Sequence, residues 1–275
     1  MEPWHRVAAD PRVEEAIGAA EHLSAVVPVP TCSSTQDVAV RCAAEGAASG
    51  AVVVTGVQTA GRGRTGRGWD DDGSGGSLAL SILLDVAGPP DAPGRATPLV
   101  PHALGLAVLA GARAVGVDGL ALKWPNDVLH RTDGGPRKVC GILVERTTVG
   151  DRDVLVAGIG INVDHRHLPE VPDRTSLAQL GAAGDVDRVG LLVGLLGAVD
   201  RRLGMLGADV DALLDDYRRA SDTIGRAVVV QRPGVADLEG TVETVDGEGR
   251  LVVRTSAGEQ HVLLSGTVRD AVRRR

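Results

Sequence analysis

Phenylalanine is absent from this chain, tyrosine occurs once (Tyr217), and the 29 basic residues include only two lysines, Lys123 and Lys138. Asparagine is as scarce, at Asn126 and Asn162 alone. No apolar run approaches the roughly 20 residues of a membrane-spanning helix, so a helical membrane protein is excluded. The three cysteines, Cys32, Cys42 and Cys140, are odd in number and unpaired in spacing, which removes a disulfide framework and a Cys-x-x-Cys redox motif. The N-terminus lacks the basic-then-apolar pattern of a secretory signal, so the expected compartment is a reducing cytoplasm. Gly-x-Ser-x-Gly, His-Glu-x-x-His and Gly-Lys-Ser/Thr do not occur, which leaves serine-hydrolase, zincin and P-loop chemistry without support. A formal net charge of -7 argues against a general polyanion binder, so any basic patch must be local.

What is present is a globular composition: 275 residues, 43% hydrophobic and 24% charged, with no internal repeat. The chain spells positive charge as Arg and most of its core as Val, Leu and Ala, as a strong coding bias would. Under such a bias a retained Lys or Asn marks a position where Arg or Asp will not serve. All four lie between positions 123 and 162.

The periodicity predicts helices over 11–24, 99–115 and 186–219, and Ser34-Thr35-Gln36-Asp37 opens another with a pattern resembling a capping box. Strands are expected at 51–57, 78–86, 120–124, 139–144 and 154–163, the last three joined by turns and therefore antiparallel. From Gly225 onward, short β-rich runs at 227–230, 240–245, 251–255 and 261–264 alternate with Gly/Asp turns. The expected division is residues 1–223 and a small all-β unit at 224–275.

Between the first two strands, Gly61-Arg62-Gly63-Arg64-Thr65-Gly66-Arg67-Gly68-Trp69 sets three arginines among four glycines. Glycines let backbone N–H groups approach an anion, and arginines offer bidentate donors, so phosphate capture is one reading. A solvated loop and an RNA contact are others, and the segment 58–76 reads as too polar to pack. Lys123-Trp124-Pro125-Asn126-Asp127 ends a strand in a sharp turn that could hold a ligand or simply turn the chain. Lys138 precedes an apolar strand and could snorkel, and Gly158-Ile159-Gly160-Ile161-Asn162 alternates glycine with β-branched residues, a pattern of close approach by a ligand or another backbone. His165-x-His167 reads as a solvated turn rather than a metal site, and Cys140 as a small buried hydrophobe.

As an ordered set, Ser34-Thr35-Gln36, Gln58-x-x-Gly61-Arg62-Gly63-Arg64-x-Gly66-Arg67-x-Trp69, Lys123-Trp124-Pro125-Asn126-Asp127, Lys138-x-x-Gly141-Ile142-Leu143-Val144-Glu145 and Gly158-Ile159-Gly160-Ile161-Asn162 resemble the biotin protein ligase family. The resemblance implies an α+β fold, with a mixed-sheet catalytic domain similar to the class II aminoacyl-tRNA synthetase core and a C-terminal SH3-like barrel. It implies ATP-dependent activation of biotin to biotinyl-5′-AMP, with Mg²⁺, and transfer to a lysine of the biotin carboxyl carrier domain of an acyl-CoA carboxylase. Ser34, Thr35, Gln36 and Gln58 would read the ureido ring, with Gln36 standing where relatives more often have Asn. Arg62, Gly63, Arg64 and Lys138 would hold the biotin carboxylate and α-phosphate, Lys138 and Arg64 acting catalytically. Arg67, Trp69, Asn126, Asp127 and Asn162 would face the nucleotide, and the metal ligands are unassigned.

A lipoate–protein ligase shares that chemistry, but the Gly-Gly-x-Val-Tyr-His stretch expected of one is missing. Some relatives are also operator-binding repressors with an N-terminal winged helix; only 33 residues precede Ser34, so no specific DNA binding is expected. A monomer or weak homodimer, with no membrane partner, completes these expectations.

Overall fold

The computed structural model describes residues 3–66, 68–69, 73–87, 93–181 and 185–271. After short helices α1 (Trp4–Val7) and α2 (Pro11–Gly18), the chain enters β1 (Ala25–Pro28), α3 (Thr35–Ala44) and β2 (Ala51–Thr55). Two-residue strands β3 (Gly61–Arg62) and β4 (Gly68–Trp69) pair within the arginine loop, followed by β5 (Ser77–Asp85) and α4 (Val100–Ala114). Then come β6 (Leu120–Lys123), β7 (Asp127–Thr132), β8 (Gly135–Val149), β9 (Arg152–Asn162), α5 (Leu177–Leu180), α6 (Arg188–Ala208) and α7 (Val210–Ala220). The C-terminal strands are β10 (Ala227–Gln231), β11 (Leu238–Val245), β12 (Leu251–Arg254), β13 (Gln260–Leu263) and β14 (Thr267–Asp270).

The main sheet has seven strands in the order β1-β2-β5-β9-β8-β7-β6, with β1 and β2 parallel and every other pairing antiparallel. β5 is almost uninterrupted in its apolar content because both its faces are covered. One face carries Val52, Leu80, Ile82 and Ile159 in the core shared with α4, on which α6 and α7 pack in turn; the other carries Val53, Leu83 and Val156 against α3. α4 is apolar nearly all round, as a helix enclosed between sheet and helices must be. It meets α6 through small residues: a Cβ at Gly111 would lie 3.2 Å from Leu195, and one at Gly194 would lie 2.8 Å from Ala114.

The β10–β14 sheet, ordered β13-β12-β11-β10-β14, is antiparallel throughout and forms the SH3-like unit. It is tied to the larger unit at several points. Arg131 of β7 holds Asp270 as well as Asp222, which precedes the boundary, and Arg218 Nε of α7 donates to Val245 O at 2.8 Å.

Several expectations are corrected. The helix expected over 11–24 stops at Gly18, because the backbone N–H groups of Glu21 and His22 turn aside to donate to the Asp200 carboxylate, and β1 follows. The single helix over 186–219 is broken at Asp209, whose extended backbone and carboxylate N-cap α7 through Ala212 N. Strands β7 and β14 were not separated from their flanking turns by composition. His165 is buried, not solvated: its Nε2 lies 3.1 Å from Ser77 Oγ and its backbone N–H donates to Ser176 Oγ. Cys140 is fully buried, as expected, and burial pushes its thiol up from the ordinary range.

His102 on α4 is 3% exposed, and burial drives its pKa down to about 4 from an ordinary 6.5. Between those values the unfolded chain binds the extra proton, so the contribution of His102 to stability is complete above about pH 6.5 and is lost as pH falls towards 4. Between pH 7 and pH 4 the melting temperature of the wild type should therefore fall more steeply than that of a His102→Gln variant. Parallel curves would remove His102 as the cause.

Candidate active site

The floor of the groove is backbone. Gly141 on β8 pairs across from Gly160 on β9, which pairs in turn with Ala79 on β5, and Gly158 lies two residues back on the same face. A Cβ at Gly160 would stand 2.8 Å from the Trp69 ring, one at Gly141 would stand 2.9 Å from Lys138 Nζ, and one at Gly158 would stand 3.0 Å from Gln36 Nε2. These glycines keep the sheet low enough for side chains of the arginine loop to lie across it. The description of that loop as too polar to pack is therefore corrected for its described residues: Trp69 rests on the glycines, β3 pairs with β4, and Arg62 and Arg64 find partners.

At one end the groove is polar and almost dry, with Ser34, Thr35, Gln36 and Gln58 all at most 9% exposed. They meet because α3 begins here. Ser34 caps it by accepting from Gln36 N, as the sequence pattern suggested, while Asp37 turns out to serve Ser33 and Arg62. Thr35 N donates to Gln58 Oε1 at 2.8 Å, and Ser81 Oγ donates to Thr35 Oγ1 at 2.8 Å. Gln36 Nε2 reaches Leu143 O at 3.0 Å, leaving Gln36 Oε1 buried with no hydrogen-bond partner. An acceptor in that state calls for a donor from a ligand.

At the other end the groove is cationic. Arg62 bridges Asp37 at 2.5 Å and Glu145 at 3.2 Å. The hydrogen bond to Asp37 raises the Arg62 pKa; on Asp37, partial burial works upward but Arg62 and Ser33 outweigh it and hold the carboxyl below its usual range. Arg64 Nη1 donates to Asn126 Oδ1 at 3.0 Å, and burial pulls its guanidinium below the ordinary value while Asp127 opposes the shift. Lys138 Nζ lies 2.6 Å from Asp127 and 5.6 Å from the centre of the Trp69 ring. Beyond Trp69 the groove opens into a mouth lined by Lys123, Asn126, Asp127, Lys138 and, from the C-terminal unit, Gly266, Thr267 and Val268.

The structure thus brings Ser34, Thr35, Gln36, Gln58, Arg62, Gly63, Arg64, Trp69, Asn126 and Lys138 around one groove, with Asp127 at its mouth. Arg67 lies outside the described residues. Asn162 is not among the residues lining the groove: its amide donates to Thr175 O at 3.0 Å and Lys138 O at 3.4 Å. Sequence reasoning missed Ser81, Asp37 and Glu145. The alternation of β5 put Ser81 on the groove face, but nothing local to Asp37 or Glu145 marks them as partners of Arg62. Among the described residues no three His, Cys, Asp or Glu side chains cluster as a metal cage, and His165 and His167 form none. A neutral hydrogen-bonding pocket at one end and convergent cations at the other suit a ligand with a polar ring and a terminal anion, meeting a phosphate-bearing cosubstrate at the mouth.

Residues 29–162 match the Biotin/lipoate A/B protein ligase family, and residues 223–268 match the Biotin protein ligase C terminal domain. The chain is 37% identical over 241 residues to the biotin–[acetyl-CoA-carboxylase] ligase of Mycobacterium tuberculosis, covering 86% of this chain and 85% of that one. It is 32% identical over 237 residues to the bifunctional ligase/repressor BirA of Bacillus subtilis, covering 82% of this chain and 68% of that protein. Among solved structures, the biotin protein ligase of Aquifex aeolicus in complex with biotin and ATP superposes with a TM-score of 0.72 at 26% identity, over 90% of this chain and 100% of that one. Fold, groove and relatives agree, and the chain belongs to the biotin protein ligase family.

Proposed function

We propose that this groove joins biotin to ATP and passes the activated biotin to a carrier lysine, with the roles of individual residues as follows. Ser34, Thr35, Gln36 and Gln58 hold the ureido ring, whose carbonyl and two N–H groups need both donors and acceptors. The observation that carries the reading is the buried, unpartnered Gln36 Oε1 among these residues. A dithiolane ring would leave that acceptor unmet, and a site built for hydrogen bonds discriminates strongly against a ligand that lacks them.

The biotin carboxylate then lies toward Arg62, Arg64 and Lys138. Its oxygen attacks the α-phosphorus of ATP, forming the acyl–phosphate bond as the bond to the bridging oxygen breaks and pyrophosphate leaves. Two anions converge in this step, so positive charge already fixed in place lowers the barrier more than charge that must be recruited. Lys138 and Arg64 are the catalytic residues. Asn126 orients Arg64, Asp127 orients Lys138, and Asn162 steadies the Lys138 backbone. Trp69 closes over the product, and Arg67 serves the outer phosphates.

Mg²⁺ fits as an ion carried by the nucleotide rather than by a protein cage: Asp127 is one carboxylate at the mouth, and Mg²⁺ characteristically uses one or two together with phosphate oxygens and water. It would neutralise charge on the leaving pyrophosphate. In the second half-reaction a carrier lysine amine attacks the acyl carbon and AMP departs. The carrier is the biotin carboxyl carrier domain of an acyl-CoA carboxylase, in keeping with the name of the mycobacterial relative. Residues 1–223 form the catalytic unit and 224–275 the β unit that assists it, in a cytoplasmic protein. No helix among the described residues is long and apolar enough to cross a membrane.

Incubation with ATP, Mg²⁺ and biotin should produce biotin-dependent exchange of labelled pyrophosphate into ATP, and addition of a carrier domain should produce protein-linked biotin. Equal exchange with lipoate in place of biotin would overturn the assignment of the polar end.

A further inference from the structure

Trp124 is 1% exposed and sits at the junction of the two units. Its backbone N–H donates to Thr223 Oγ1 at 3.0 Å, and its indole Nε1–H donates to Gly249 O at 3.0 Å, 125 residues away in sequence. The other two indoles, of Trp4 and Trp69, have buried Nε1 atoms with no hydrogen-bond partner. This fold therefore does not satisfy every indole, and the one it satisfies is paired across the unit boundary.

Both ends of that bond are held. Gly249 closes the β11–β12 hairpin with φ +78, and a Cβ on it would lie 2.8 Å from Leu99 and 2.9 Å from His102, so the hairpin tip seats directly on the start of α4. The Asp246 carboxylate ties the turn together by accepting from Glu248 N, Arg250 N and Arg250 Nε. On the other side, Trp124 begins the turn that carries Asn126 and Asp127. Asn126 is pinned to β8, its O accepting from Ile142 N at 2.9 Å and its Nδ2 donating to Ile142 O at 2.8 Å. Asn126 contacts Arg64 and Asp127 contacts Lys138, so this turn links the hairpin tip to the two cations facing the α-phosphate.

We infer that Trp124 is a positioning residue for adenylate formation: its indole hydrogen bond to Gly249 in the C-terminal unit fixes the turn that aims Arg64 and Lys138. This rests on the roles proposed above for those two cations. The β unit then acts on the first half-reaction through this hydrogen bond, in addition to lining the mouth with Gly266, Thr267 and Val268, without contributing a catalytic residue.

The test is Trp124→Phe, which keeps most of the ring and removes the N–H. Asp246→Asn is the companion, which loosens the turn that presents Gly249 O without altering Trp124, should the first variant fold poorly. Biotin-dependent pyrophosphate exchange is measured against ATP concentration, together with biotin affinity by calorimetry and the melting temperature. The expected result is a roughly tenfold loss of kcat/KM for ATP, the scale of one buried hydrogen bond, with biotin affinity within about twofold of the wild type. Unchanged exchange kinetics would overturn the inference, and so would a loss of biotin affinity parallel to that for ATP, which would mean a general distortion of the groove. A wild-type protein without biotin-dependent exchange would instead overturn the function on which the inference rests.

Discussion

Lys138→Ala should depress biotin-dependent pyrophosphate exchange by about 2–4 kcal/mol in the barrier, roughly 30- to 1000-fold, the scale of removing one preorganised donor from a site where negative charge accumulates. The lysine is held from several sides. Its N–H donates to Asp173 O at 2.8 Å, its O accepts from Thr175 N at 2.9 Å and from Asn162 Nδ2, and its ammonium is set by Asp127. Removing the side chain also leaves the Asp127 carboxylate uncompensated where phosphates must sit, so loss of attraction and gain of repulsion act together. Arginine should not restore the rate. Its wide planar head would need space beside Gly141, where even a Cβ would come within 2.9 Å of Lys138 Nζ. Biotin binding should survive better than exchange, because the ring-reading end of the groove is untouched. Normal exchange in the alanine variant would remove Lys138 from the mechanism.

Gly160→Val should abolish most biotin affinity while sparing the fold. Valine is well suited to a strand, so β9 should tolerate it. Its side chain, however, would enter space where a Cβ alone already comes within 2.8–3.1 Å of three Trp69 ring atoms. Either Trp69 is displaced or the groove floor rises, and overpacking of this kind costs about 1–3 kcal/mol, or roughly 5- to 150-fold in affinity. Titration calorimetry with biotin, paired with a melting curve, measures both. Wild-type affinity would show that biotin binding does not depend on the seat of Trp69 on this stretch of sheet.

The parts of the site that were legible in sequence are those where chemistry restricts residue type. Gly141, Gly158 and Gly160 must lack side chains, and Lys138 and Asn126 survive in a chain that avoids their residue types. The first turn of α3 announces its own cap at Ser34. Less legible was anything that depends on which groups a fold brings together from afar. Asn162 shares a strand face with Gly160, yet its amide is used on the Thr175 and Lys138 carbonyls, and only the path of the segment after β9 reveals that. Asp37 and Glu145 lie on different elements and converge on Arg62 across the groove. The break at Asp209 was hidden because an N-capping aspartate inside a long helical pattern looks like one more polar residue. The boundary near residue 224 was visible as a change of pattern, but the contact between Trp124 and Gly249 across it was not.

The distribution of the indoles also decides what the protein emits. Phenylalanine is absent, the one tyrosine, Tyr217, is buried, and Trp4 and Trp124 are each 1% exposed, whereas Trp69 is partly exposed on the groove floor beside an ammonium group. The indole emission of the whole chain is thus carried by three tryptophans, two enclosed in the core and one facing the groove. A change in emission intensity or wavelength on occupancy of the groove would originate chiefly at Trp69, so the enzyme carries its own optical gauge of occupancy without an attached dye.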